Sequence, residues 1–251
     1  MKVLNDSLAT FEREIQPVLR EPVALAFAML QPLLFLVLFG PLLDSMPGME
    51  GNAWEWFVPG VIVMLALFGT SPSGANLLSE IHTGSYERTL VSPAARSALL
   101  IGRTAKEAAI LLGQAVLITL GALLFIDVDF DLLGILAGLV LLMLFGLGVG
   151  ALSNALALAV NRRDYLFIVV QQTLLFPLLL LSGMLLPMER GPDWLKLLAD
   201  INPVSYIVDA ERALFVGDFE SSSVAWGLLS GIGIAGVGLA LGMRGMKRAG
   251  V

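Results

Sequence analysis

The residues with chemical capacity are few, and their spacing rules out most of what they could do. The four lysines, Lys2, Lys106, Lys196 and Lys247, follow methionine, alanine, leucine and methionine. The phosphate-cradling loop GxxxxGK followed by Ser or Thr is therefore missing, and any ATP that drives this protein is hydrolysed on another chain. Gly231, Gly233 and Gly236 spell GxGxxG inside an apolar run with no strand pattern ahead of it, so the match is accidental. Ser182 beside Gly183 would need a histidine within hydrogen-bond reach to act as a nucleophile. The single histidine, His82, follows a different apolar run, on the opposite side of the topology that the charges imply. With no cysteine, disulfides are impossible and a Cys/His metal site is unworkable. Catalysis on this chain is not expected.

What remains inside the apolar runs is amide and hydroxyl: Asn76, Gln114, Thr119, Asn154, Gln171, Gln172, Thr173 and Ser182. Ion-coupled transport usually leaves an ionisable group at membrane depth, and these runs carry none. Backbone carbonyls can still hold a cation, so an ion-coupled secondary transporter or channel stays as the alternative reading. Gln171 and Gln172 point about 100° apart on a helix, so both cannot face lipid. Asn154, Gln171, Gln172, Phe176 and Ser182 are the candidates to line a solute path, against the plainer role of hydrogen-bonding between helices.

The elements that would position these groups follow from composition. Of 251 residues, 57% are hydrophobic and 14% charged, and the mean hydropathy is +0.85. These values lie outside the soluble range. Six runs free of Asp, Glu, Lys and Arg, 22–43, 56–79, 108–126, 132–160, 165–188 and 221–243, are each about long enough to cross a hydrocarbon core of roughly 30 Å. The expected fold is an all-α membrane protein with six transmembrane helices. The first run is too long for a cleaved leader and follows four acids, so it is expected to stay in the protein.

Twelve of fifteen basic residues and eight of twenty-one acids fall on the side that carries both termini, a net +4. Three basic residues and thirteen acids fall on the other, a net −10. The positive-inside rule places both termini in the cytoplasm. Leu4, Leu8, Phe11, Ile15 and Leu19 make one apolar face, which predicts an amphipathic interfacial helix over 1–21, bent into the first span at Pro22. The connection 80–107 predicts a brief helix over 85–91 halted at Pro93, then a helix running into the third span. On the outer side, 193–201 reads as a short helix. A second follows, with Asn202 as N-cap, Pro203 at its first position and Gly217 as its stop. These short helices are too brief to cross and are expected to dip into the outer leaflet or rest on it. Gly134 with Gly138, Gly146 with Gly150, Gly227 with Gly231 and Gly238 with Gly242 give small-residue faces for close helix packing, within the subunit or between copies.

Three stretches carry a resemblance. Phe57-Val58-Pro59-Gly60 opens the second span; Gly84, Ser85, Glu87, Arg88, Pro93 and Arg96 occupy the turn after it; and Leu181-Ser182-Gly183, Pro187, Pro192-Asp193-Trp194-Leu195, and Asn202-Pro203 with Tyr206 precede the last span. In that order they resemble the membrane subunits of type-2 ABC exporters, in particular bacterial daunorubicin-resistance and nodulation-factor permeases. The resemblance implies one transmembrane permease domain over 1–251 in the inner (cytoplasmic) membrane. It implies a homodimer or a heterodimer with a second permease, in contact with membrane lipid and not with nucleic acid. Two ATPase subunits would bind the cytoplasmic face, holding ATP and Mg that this chain does not. Gly84, Ser85, Glu87, Arg88, Pro93 and Arg96 would then form the turn that couples to the ATPase, and an amphiphilic drug, lipid or glycan would be the exported solute.

Overall fold

In the computed structural model, residues 2–45, 52–85, 96–160, 163–188 and 191–248 are described. Among them lie ten helices and no strand. They are α1 (Lys2–Arg20), α2 (Pro22–Asp44), α3 (Ala53–Thr70), α4 (Ser73–His82), α5 (Arg96–Phe125), α6 (Leu132–Ala159), α7 (Asp164–Leu181), α8 (Asp193–Ile201), α9 (Pro203–Phe215) and α10 (Ser222–Arg248). Six stretches are long and apolar enough to cross a membrane: α2, α3 with α4, α5, α6, α7 and α10.

The central rod is α3. Every residue from Phe57 to Leu67 is buried, as expected of a helix that is hydrophobic all round. Around it Leu141, Leu142 and Phe145 of α6 and Ile207, Val208 and Phe215 of α9 close the core. The longest helix contact joins α6 to α10. There Gly148 meets Ala235 and Gly238, while Gly134 and Gly138 admit α9. Gly227 packs on Ala210 of α9, and Gly242 on Leu100 of α5. These small-residue faces therefore bring helices together within one chain.

Three details differ from the pattern of charge-free runs. The second run is two helices, because Pro72 has no N–H to continue the ladder and the Thr70 and Ser71 hydroxyls turn back onto Ala66 and Leu67 carbonyls. The helix of the third span, α5, is already formed at Arg96, so Arg103, Lys106 and Glu107 are helical and buried rather than part of a solvated connection. In α1 the small side turns inward: Thr10 is buried near Gly102 of α5. Leu8 and Leu19 stay exposed, leaving the apolar face for a bilayer.

The two short helices form where the turn chemistry puts them. The Asn202 side chain accepts from Val204 N at 3.0 Å, and Gly217 takes a φ of +80°, a value that side chains resist. The first, α8, keeps Trp194, Leu197 and Ile201 exposed. The second, α9, is built into the bundle.

Candidate functional site

At the end that carries the termini, Arg103 joins three helices. Its guanidinium bonds Glu80 in the last turn of α4 and lies 3.8 Å from Glu14 of α1. Burial by itself would push the Glu14 carboxyl up, but Arg103, the 2.9 Å hydrogen bond from Arg13, and Lys106 together hold it below the usual range. Beside it Lys106 Nζ lies 2.9 Å from Glu107 Oε1. His82 at the end of α4 meets Asp164 at the head of α7, 2.9 Å apart. Above this base Gly84 turns the chain off α4 with a φ of +70°. Of the candidate coupling residues, Gly84 and Ser85 follow α4 and Arg96 opens α5. Glu87, Arg88 and Pro93 lie outside the described residues.

The break between α3 and α4 is held by α6. The Ser153 hydroxyl donates to the Ser71 carbonyl and accepts from Gly74 N at 3.1 Å. One side chain thus serves two of the backbone groups that the interrupted ladder releases, which is how broken helices survive at membrane depth. A methyl group at position 74 would stand 2.3 Å from Ser153 O, so the approach requires glycine. Asn154 donates to Ser73 Oγ at 2.9 Å and to Gly150 O at 2.8 Å, and is fully buried. It ties α6 to α4.

A cleft of about 800 Å³ opens between α6, α7 and α10, roofed by Pro203 and Val204 of α9. Its walls are apolar apart from Ser71, Ser153, Gln171 and Arg244. Gln171 is thus the one path candidate that lines it. Gln172 and Phe176 are exposed on the outer surface of α7, Phe176 edge-on to Phe68 at 6.4 Å. Ser182 is buried: its hydroxyl donates to Leu179 O at 2.7 Å and accepts from Met184 N at 3.3 Å, ending α7 where Gly183 takes a φ of +73°. It is a helix terminator in this structure. The five candidates do not converge on one site.

At the far end Asn202 Nδ2 donates to Leu178 O and Ser205 to Leu181 O, fastening α9 to the top of α7. Arg212 then fastens α9 to α3 and to the Gly183 turn. Glu211, next in line, is fully buried against Gly138 and Phe215, and neither carboxylate oxygen has a partner among the described residues. Burial pushes its carboxyl well above the usual range. Sequence reasoning placed Arg103 on the helix running into the third span and Glu211 in the second short outer helix, and gave neither a role. The signal was present in the spacing of Val204, Ile207, Val208, Glu211 and Phe215, which sets the acid on the apolar face of α9.

Comparison with known proteins fits this architecture. The chain is 28% identical over 229 residues, 89% of its length and 79% of the relative's, to the daunorubicin resistance ABC transporter permease protein DrrB1 of Streptomyces coeruleorubidus. It is 31% identical over 213 residues to a protein of Cyanophora paradoxa named as a transport permease, ycf38, covering 78% of this chain and 69% of that one. A protein of Escherichia coli K12 named as a multidrug ABC transporter permease, YbhR, is 26% identical over 182 residues, 70% of this chain and 48% of the relative. Residues 7–216 match the family model described as ABC-2 type transporter, and by that match the chain belongs to the ABC-2 type transporter family.

Proposed function

We propose that this chain is the membrane-embedded permease of an exporter whose energy comes from separate ATPase subunits docked at the connection 84–96 between α4 and α5. The observation that carries the reading is the family match over 7–216 on a chain that lacks a phosphate-binding loop. ATP and Mg would sit on the partner, and this chain would supply the path and the moving parts. Two copies of the permease, or this chain with a second one, would enclose that path. The basic excess on the side that carries the termini supports a cytoplasmic placement of the docking face.

The geometry supports a lever. A push on the connection reaches α4 directly, and Arg103 passes it to α1 and α5 through Glu14 and Glu80. Ser153 and Asn154 hold α4 to α6 while leaving Ser71 and Pro72 as the only non-helical joint in the second span. The upper part, α3, is pinned by Arg212. Closure of the ATPase pair would thus swing the lower rod about a fixed upper one, the hinge type of transition. An apolar cleft with four polar lining side chains favours an amphiphile, drug-like, lipid or glycolipid, over a highly charged solute.

Copurification tests the reading. An ATPase subunit should come down with the full chain from its native membrane, and its hydrolysis should rise with candidate amphiphiles in proteoliposomes. Uptake by the purified chain alone, driven by a proton or sodium gradient, would overturn it in favour of the ion-coupled alternative.

A further inference from the structure

Between its two ends α7 stands away from the bundle. The His82–Asp164 pair holds its first turn, and the Asn202 and Ser205 hydrogen bonds to Leu178 and Leu181 carbonyls hold its last. Only Phe167, Leu175 and Leu179 of its eighteen residues are buried. The space behind it is the cleft of about 800 Å³, within the roughly 300–1,000 Å³ typical of ligand sites. Protein interiors are close-packed, and walls facing a void of this size would forfeit their dispersion contacts. The cleft is open on one side, and at membrane depth what an open apolar cleft meets is acyl chain rather than water.

The head group is set by charge. Arg244 lines the cleft at the end that carries the termini, where the positive-inside count places the cytoplasmic leaflet. Among the described residues it has no hydrogen-bond or ion-pair partner. Arg163, exposed at the head of α7, stands at the same end. From Ile234, below the α9 roof, to Arg244 the wall spans ten residues of α10, or about 15 Å at about 1.5 Å per residue, half of a roughly 30 Å hydrocarbon core. That is the reach of acyl chains from a single leaflet. We propose that the cleft between α6, α7 and α10 is a binding site for an anionic phospholipid of the leaflet on the side of the termini. Its acyl chain fills the apolar space and its phosphate pairs with Arg244. The lipid completes the packing of α7, whatever powers transport.

Native mass spectrometry on the full chain, after detergent exchange from nanodiscs of equal phosphatidylglycerol and phosphatidylcholine, tests this. The wild type should retain phosphatidylglycerol at least about fivefold over phosphatidylcholine. Arg244→Gln should abolish that preference, and Ala155→Trp, which fills the cleft from α6, should abolish retention of both lipids. Leu174→Trp, from the α7 wall, is the second filler should Ala155→Trp fail to give a monodisperse protein. Retention of lipid by the filled variants, or an unchanged preference in Arg244→Gln, would overturn the proposal. So would a wild type that retains no lipid because a second copy of the chain or a solute covers the cleft.

Discussion

The Arg212 guanidinium carbon stands 3.8 Å from the centre of the Trp56 ring. The same side chain donates from Nε to the Trp56 carbonyl at 3.1 Å and from Nη2 to the Gly183 carbonyl at 2.7 Å. One planar fork therefore ties α9 to the head of α3 and to the turn after α7, using a ring face and two directed donors at once. A lysine has the charge but neither the plane nor the fork. Arg212→Ala should cost about 2–4 kcal/mol, from the lost stacking and charge-assisted bonds together. Arg212→Lys should recover less than half of the loss in melting temperature in detergent. Full recovery by lysine would show that charge alone matters there.

The joint in the second span makes a different demand. Ser153→Ala removes the hydroxyl that serves Ser71 O and Gly74 N and leaves both unpaired in an apolar setting, at a cost of about 1–3 kcal/mol. Gly74→Ala should be worse, since its methyl group would collide with Ser153 O. If the joint is where the lower rod turns, Ser153→Ala should also lower transport per ATP hydrolysed in a complex that still assembles. Equal coupling ratios in wild type and variant would remove the hinge role and leave only a packing one.

Acid should loosen the base of the bundle. The Glu14 carboxyl is held below the usual range by Arg103, Arg13 and Lys106 against the opposing effect of burial. A depressed folded-state pKa contributes stability that is present above the unfolded-state value and is lost as pH falls through the folded-state value. The melting temperature of the wild type should therefore exceed that of Glu14→Gln near neutrality, and the two curves should converge as pH drops below the ordinary carboxylate range. A gap that persists unchanged into acid would mean that the Glu14 contact is steric rather than ionic.

Much of this architecture was legible in the residues. Charge-free runs mark the six spans because a charge at mid-bilayer is costly. Asn202, Pro203 and Gly217 mark α9 because caps and turns have local chemistry that tertiary context does not alter. The break at Pro72 was not legible: proline is tolerated within spanning helices, and whether it interrupts one depends on a partner such as Ser153, distant in sequence. Asn154, Gln172, Phe176 and Ser182 were candidates by polarity or size; in the structure Asn154 ties helices, Ser182 ends one, and Gln172 and Phe176 are exposed on α7. Residue type does not say which way a helix is rotated. Arg103 was expected on the helix running into the third span, but the apolar run starts after it, so its burial between α1, α4 and α5 was not legible.

The connection itself yields the sharpest test of docking. Replacing Glu87 and Arg88 together with alanine removes both charges from the proposed contact while leaving every span and every hydrogen bond described above in place. Membrane insertion and thermal stability should be unchanged, and ATPase-coupled transport should be lost. Normal coupled transport by the doubly substituted chain would place the docking surface elsewhere.

Glu211 brings the opposite pH sign to that of Glu14. Buried against Gly138 with neither oxygen paired, it is carried as the neutral acid, since an isolated carboxylate in such surroundings is far costlier than a proton uptake. As pH rises above the ordinary carboxylate value, the unfolded chain gains a charge that the folded one refuses, so the wild type loses stability until the raised folded-state value is reached. Glu211→Gln has nearly the same shape and does not titrate. Its melting temperature should match the wild type in mild acid and exceed it increasingly toward alkaline pH. Parallel curves would mean that Glu211 is ionised when folded, with a counter-charge brought from outside this chain.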